Sequence, residues 1–441
     1  MLGYTINTML DIQYIRDNPD LVKQKSEQKG YSVDIDNLLY LDKQHRQLQS
    51  EIDTIRARRN EHAETIKRQG KPTPEQIEIG SQIKSELSDL ESKFDEIDKK
   101  RLQILKSIPN MPLDDVPVGA SEDENVITKT VGDKPDFEFK PKNHSEIAIA
   151  KGWLDKERAA KVAGSRFAYL KGDLVILDWA LNMFALSRLT DQDFISKIIS
   201  ENDLQLDTKP FVAVQPPAVA KTEVYEATGR LDKEQQTYKL ADDDLWLNAS
   251  AEHVLAPMYL NEIIDEEKLP IRYVGYTTAF RREAGTYGKD MEGFLRMHQF
   301  NKLEMESFTT PESSLNEHFL MIAIQESLMQ ELGLPYQVVT KCTADIGGPN
   351  ARGVDIDVWL PSQGKYRETH TADLITDYQA RRMNTKYRRH QDGSTALVHN
   401  NDATALSQRP LIAIIENFQT EQGDVVIPEI LRSYMNGKDR I

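Results

Sequence analysis

Cysteine is nearly absent: Cys342 is the single one among 441 residues. One thiol excludes an intrachain disulfide and a thiolate metal cluster, and it suits a reducing, cytoplasmic setting. Long apolar runs are missing too. No window approaches the ~20 apolar residues that span a bilayer. The most apolar run, Leu174 to Leu186, is interrupted by Asp178 and Asn182. No basic segment precedes an apolar one near the start, so neither a signal peptide nor a membrane partner is expected. Met9 is an alternative start to Met1. Positive charge is scarce, with 55 Lys and Arg against 71 Asp and Glu, for a net −16. That excludes a protein coating nucleic acid over its whole surface and leaves room for a local basic patch. The length fits two or three domains, and 39% hydrophobic with 29% charged residues fits a soluble globular protein. No internal repeat is visible.

What is present begins with two heptad stripes. Leu41, His45, Leu48, Ile52, Ile55, Arg59, His62 and Ile66 follow steps of four and three. So do Ile83, Leu87, Leu90, Phe94, Ile97, Arg101, Ile104 and Ile108. Such spacing places each series on one stripe of a helix. Gln69-Gly70-Lys71-Pro72-Thr73-Pro74 between them is a turn. The prediction is an antiparallel coiled-coil arm over about 34–108, roughly 50 Å long at ~1.5 Å per residue. A coiled coil alone fits dimerisation or spacing. Its charge points elsewhere. Between Thr54 and Lys71 lie six basic residues, Arg56, Arg58, Arg59, Lys67, Arg68 and Lys71, opposed only by Glu61 and Glu64. A basic tip on an acidic body fits a local phosphate-backbone reader that recognises RNA by shape.

The domain reading is 1–112 for an N-terminal domain, 113–143 for a linker, and 144–441 for a second domain. The linker is predicted from the prolines and acidic residues after Ile108-Pro109-Asn110-Met111-Pro112. Downstream, an apolar helix covers Leu174 to Leu186, and Phe211 to Val214 reads as a strand ending at Gln215-Pro216-Pro217. Leu303 and Met305 alternate with Lys302, Glu304 and Glu306, and Val354, Ile356 and Val358 with Asp355 and Asp357. Each strand therefore has one apolar and one polar face. Such polar faces either meet water or line a site.

Phe280-Arg281-Arg282-Glu283, followed by Gly293-Phe294-Leu295-Arg296-Met297-His298-Gln299-Phe300, resembles the second signature motif of class II aminoacyl-tRNA synthetases. Glu368, Gln379-Ala380-Arg381-Arg382 and Arg409 before Ile412-Ala413-Ile414-Ile415-Glu416-Asn417 resemble the approach to the third, and Pro216-Pro217 the end of the first. The arm, the 108–112 junction and Ile427-Pro428-Glu429-Ile430-Leu431-Arg432-Ser433-Tyr434-Met435 resemble the seryl-tRNA synthetase family. The resemblance covers nearly the whole chain. It implies an α+β fold: the arm joined to an antiparallel-sheet catalytic domain. It implies ATP and Mg²⁺ as cofactors and L-serine and tRNA-Ser as substrates, with tRNA-Sec left open as a second acceptor. It also implies a homodimer and transfer to the 3′-hydroxyl of the terminal ribose.

The resemblance also assigns residues. Arg281 clamps the α-phosphate and Arg409 the γ-phosphate end, a task that suits the guanidinium fork. Glu283 accepts from the adenine amino group and Phe300 stacks on the ring. Arg282, Arg296, Thr369 and His370 complete the ATP set. Glu368 and Thr371 hold Mg²⁺ through hard oxygens. Ser250, Ala251, Glu252, Arg281, Glu304, Asn401, Ala403 and Thr404 form the serine set. Arg56, Arg58, Arg59, Lys67, Arg68 and Lys71 meet tRNA, at its long variable arm. The departures cluster on the amino-acid side. Ser250-Ala251-Glu252 replaces Thr-Ala-Glu, and Glu368-Thr369-His370-Thr371 replaces Glu-Ile-Ser-Ser. Asn401-Asp402-Ala403, expected in a loop one residue short, replaces Asn-Gly-Ser, and Gln408 replaces a glycine. Ala403 lacks the family's hydroxyl, and Thr404 is the neighbour able to supply one. Two other functions compete: a same-fold ligase for another small amino acid, and a non-catalytic RNA-binding paralogue.

Overall fold

The computed structural model describes residues 10–231, 237–283 and 293–441, so both candidate starts lie outside the described residues. The chain forms two compact units, dividing after Met111.

The smaller unit is helical. Helices α1 (Ile12–Asp17) and α2 (Pro19–Gln28) precede α3 (Ile35–Gln69) and α4 (Pro74–Ser107). Asp34 caps α3, and Gly70 ends it at φ 86, where a side chain would be strained. Thr73 and Gln76 then form a capping box that restarts the chain as α4. The α3–α4 seam is dry at Ile52, Ile55, Ile83 and Leu87. A second cluster at the base joins Ile15, Val22, Leu38 and Leu105. Beyond Ile55 no residue of α3 is fully buried, so the seam loosens towards the basic tip.

The larger unit is built on eight strands, here numbered β1 (Val126–Val131), β2 (Val212–Val214), β3 (Ile271–Phe280), β4 (Gln299–Thr309), β5 (Tyr336–Thr340), β6 (Arg352–Leu360), β7 (Lys365–Thr376) and β8 (His399–Ser407). Their order is β1-β5-β6-β7-β8-β4-β3-β2. All neighbours are antiparallel except β2 and β3. Helices α5 (Asp173–Leu189), α6 (Ser314–Glu331) and α7 (Gln408–Asn417) supply one large core with the apolar faces of β4 and β6. The stretch 113–143 differs from the linker expected of it: it contributes β1 to this sheet, where Thr130 pairs with Gln337. Its charged, proline-rich composition masks a solvent-facing edge strand. The segment around Asn401 is likewise part of β8 and not a loop.

Candidate active site

The polar faces of β4, β7 and β8 turn inward together. On β4 the cross-strand partners of Lys302, Glu304 and Glu306 are Ser407, Thr404 and Asp402 on β8. Because side chains alternate, these six share one face, while Leu303 and Met305 enter the core. Glu304 and Glu306 are fully buried, so at these two positions the polar face does not meet bulk water.

Two bulges shape the site. On β6, Asp355 and Asp357 stand two residues apart on one face, yet their partners on β7 are Thr371 and Glu368, three apart. The extra residue is absorbed by a register shift, which brings Glu368 and Thr371 to the same side. A matching shift on β8 between Thr404 and Leu406 brings Thr404 and Ser407 together. Gln325 of α6 spans the pair: its buried amide donates to the carbonyls of Thr371 and Thr404, each at 2.8 Å.

The result is a cavity of about 130 Å³ lined by Arg281, Glu283, Arg296, Phe300, Lys302, Glu368, Thr369, Thr371, Thr404 and Arg409. The backbone N–H of Arg281 donates to the His298 carbonyl at 2.9 Å, closing the β3–β4 hairpin beneath it. Its guanidinium lies 5.2 Å from the Phe300 ring and donates to the Ala249 carbonyl at 3.2 Å. Arg296 binds the Glu283 carboxylate at 2.9 Å. Arg409 meets Glu368 at 3.1 Å and donates to its carbonyl at 2.6 Å. Burial alone would raise the Glu368 pKa, but Arg409, Lys341 and Arg281 outweigh it and pull the carboxyl to about 2.

A buried cluster of charged side chains adjoins this cavity through Lys302 and Thr404. Lys302 pairs with Glu304 at 2.7 Å and reaches the Ser250 hydroxyl at 3.4 Å. Arg230 pairs with Glu252 and stands 3.7 Å from Asp402. Burial pushes the carboxyl of Glu304 up, and those of Glu306 and Asp402 well up. Glu252 is held below its ordinary value, because Arg230, His253 and Lys302 overcome burial. Beyond those pairs, buried Glu304 Oε1, Glu306 Oε2 and Asp402 Oδ1 lack a hydrogen-bond partner among the described residues. Unmet acceptors on one sheet face are what a ligand with N–H and O–H groups would satisfy.

Several expected site residues fall elsewhere. His370 pairs across strands with Ile356, on the core side of the bulge, and bonds to Thr369 at 2.8 Å. Burial lowers its pKa to about 3, so it is a neutral packed ring. Ala403 lies opposite Met305 in the apolar core, and Asn401 on that same face donates to Ser307 at 3.3 Å. The counting of Asn401-Asp402-Ala403 is thus off by one: Asp402 and Thr404 occupy the site face. Ala251 is buried beside Gly275, whose missing Cβ leaves room for the neighbouring Leu255 side chain. Arg282 turns to the Tyr238 ring at 5.0 Å and to the Thr237 carbonyl. At the arm, Arg56 and Arg58 pair with Glu91 and Glu86 across the seam at 2.9 and 2.8 Å. Glutamates of α4 thus oppose the basic run as well, which linear counting missed.

Lys302 and Arg230 were not among the predicted site residues. Lys302 carried a signal, its two-residue spacing from Glu304. Arg230 carried none: only the fold brings it to Glu252.

The class II core-domain model, tRNA synthetases for G, H, P, S and T, matches residues 237–418. The seryl-tRNA synthetase N-terminal domain model matches residues 9–112. A serine–tRNA ligase of Thermodesulfovibrio yellowstonii is 38% identical over 435 residues, covering 97% of this chain and 99% of that protein. The chain belongs to the seryl-tRNA synthetase family. Among solved structures, the Pyrococcus horikoshii seryl-tRNA synthetase complexed with ATP matches with a TM-score of 0.86 at 38% identity, over 98% of this chain and 99% of that one. The cytoplasmic serine–tRNA ligase of Naegleria fowleri in complex with AMP matches at 0.81 and 27% identity, over 99% of both. The α+β architecture is therefore that of seryl-tRNA synthetases.

The donor set bears on a metal. Among the described residues no three His, Cys, Asp or Glu side chains converge on one point. Glu368 and Thr371 offer two hard oxygens on one face. That fits a Mg²⁺ shared with substrate phosphates, not a caged resident ion.

Proposed function

We propose that this chain activates L-serine with ATP and transfers the seryl group to the 3′-terminal ribose of tRNA-Ser. The observation that carries the reading is one site with two linked environments. A cavity lined by Arg281, Arg296 and Arg409 lies beside a cluster of buried carboxyl groups. The first suits a polyphosphate and the second a small ammonium-bearing hydroxy acid.

The serine carboxylate attacks the α-phosphorus, the bond to the bridging oxygen breaks, and pyrophosphate carries off the electron pair. Charge develops on phosphate oxygens, so positioned cations supply the catalysis. Arg281 holds the α-phosphate beside the attacking carboxylate, and Arg409 the far phosphates. Phe300 stacks on adenine and Glu283, steadied by Arg296, accepts from its amino group. Glu368 and Thr371 are the residues that would hold Mg²⁺, which neutralises phosphate charge when bound. Glu252 receives the ammonium, and Glu304 with Thr404 the hydroxyl. ATP and AMP, as the ligands of the two solved relatives, support a nucleotide in this cavity.

The arm tip is the tRNA contact in this reading. Arg59, Arg68 and Lys71 supply its main phosphate contacts, since Arg56 and Arg58 already hold glutamates. The protein works as a cytoplasmic homodimer; no helix among the described residues is long and apolar enough to cross a membrane. ATP–pyrophosphate exchange with each of the twenty amino acids tests the reading. Exchange with serine alone is expected. Exchange with another small amino acid instead would favour the same-fold ligase, and none at all the RNA-binding paralogue. Charging assays with tRNA-Ser and tRNA-Sec identify the acceptor.

A further inference from the structure

A second cavity, of about 480 Å³, continues from the first. Leu295, Arg296, Glu368 and Arg409 line both. A nucleotide whose phosphates run towards Arg409 therefore projects its leaving end into this larger space. That end carries most of the charge, yet Asp345, Asp355 and Asp357 line the walls. Left bare, they would repel a polyphosphate.

One ammonium stands among them. Lys341 follows β5 directly, and its Nζ lies 3.5 Å from Asp355 and 3.7 Å from Asp345. Both distances exceed the ~2.7–2.9 Å of a charge-assisted hydrogen bond. Its donors are thus left to face the cavity that it lines. The side chain is held in place, being only 16% exposed. The Lys341 backbone N–H donates to the Gly353 carbonyl at 3.0 Å. A Cβ on Gly353 would come within 3.0 Å of the Lys341 Cδ, so the lysine stem occupies room that only glycine leaves. A cation fixed before the ligand arrives loses little entropy on binding it.

We propose that Lys341 grips the pyrophosphate end of ATP and holds pyrophosphate as it departs. This rests on the serine-ligase reading and adds a residue to its machinery. The lysine transfers no proton. It donates hydrogen bonds to the phosphate oxygens that take up the electron pair as the bond to the α-phosphorus breaks. A lysine serving only to neutralise Asp345 and Asp355 would instead support the whole site without preference for one substrate.

The test is exchange kinetics on the full chain, wild type against Lys341→Met. The apparent KM for ATP and the inhibition constant for pyrophosphate should each rise roughly ten- to a hundredfold, the range for losing a charged hydrogen bond. The KM for serine should stay within about twofold. Lys341→Met with Asp345→Asn, which removes a partner carboxylate too, guards against misfolding and should show the same split. Unchanged ATP and pyrophosphate constants, or a parallel rise in the serine KM, would overturn the proposal. Absence of serine-dependent exchange in the wild type would instead overturn the underlying reading.

Discussion

The Thr404 and Glu304 side chains sit opposite each other on adjacent strands, both buried and both on the site face. The family's motif places the serine-side hydroxyl at position 403, where this chain has an alanine followed by Thr404. Thr404, beside a bulge, stands on the site face opposite Glu304 and lines the cavity. Removing its hydroxyl leaves a buried acceptor unpaired, at a cost of about 1–3 kcal/mol. Thr404→Val should thus raise the serine requirement roughly ten- to a hundredfold and leave the ATP requirement nearly unchanged. Serine titration of pyrophosphate exchange checks it, and an unaltered serine KM would reduce Thr404 to a packing residue. Arg281 belongs to both substrates in the proposed geometry. Arg281→Ala should nearly abolish exchange while circular dichroism stays native. Wild-type exchange in that variant would remove Arg281 from the mechanism.

The helical hairpin is an element whose shape was legible residue by residue and whose function was only half legible. Heptad spacing, a Gly-Pro turn and a capping box are local, so the boundaries of α3 and α4 fall near those expected. Charge pairing across the seam is not local. Replacing Arg59, Arg68 and Lys71 with alanine should weaken tRNA binding and reduce the salt slope by about three, given ~0.9 per phosphate contact. Replacing Arg56 and Arg58 should do less, because each already holds a glutamate. Equal effects from the two sets, measured by filter binding over a salt series, would contradict the assignment. Helix α7 offers a second prediction. Its Glu416, fully buried, accepts from the His144 ring at 2.8 Å and from the Ser362 N–H at 3.2 Å. Burial would raise this carboxyl, but those hydrogen bonds and His144 lower it. A lowered acid adds stability that is present above its ordinary value of 4.5 and is lost as pH falls below that. Glu416→Gln should therefore lower Tm at pH 7 and narrow the gap to wild type as the pH falls towards 3. A gap independent of pH would show that Glu416 acts by packing alone.

For the whole molecule, α5 leaves Ile176, Trp179 and Met183 on one stripe, with Trp179 61% and Met183 51% exposed. Strand β2 ends the sheet with Val212 57% exposed. Exposed apolar stripes and open edges are uncommon in monomers, and a twofold interface is the commonest way to cover them. Light scattering should give twice the 50.4 kDa of the chain at micromolar concentration. Trp179→Glu should shift it towards monomer. A wild-type monomer would contradict the homodimer.

The sequence by itself determined the arm, the alternating strands and the family, because periodicity and motif order are written along the chain. It also placed Arg281, Glu283, Phe300, Glu368 and Arg409 in one site through motifs alone. The tertiary structure decided what spacing cannot carry. Bulges on β7 and β8 shift side-chain parity by one, and the pairing leaves His370 and Ala403 facing the core and Thr404 facing the site. Arg230 reaches Glu252, and Lys341 reaches Asp355, only through folding, which brings these charges together across different elements.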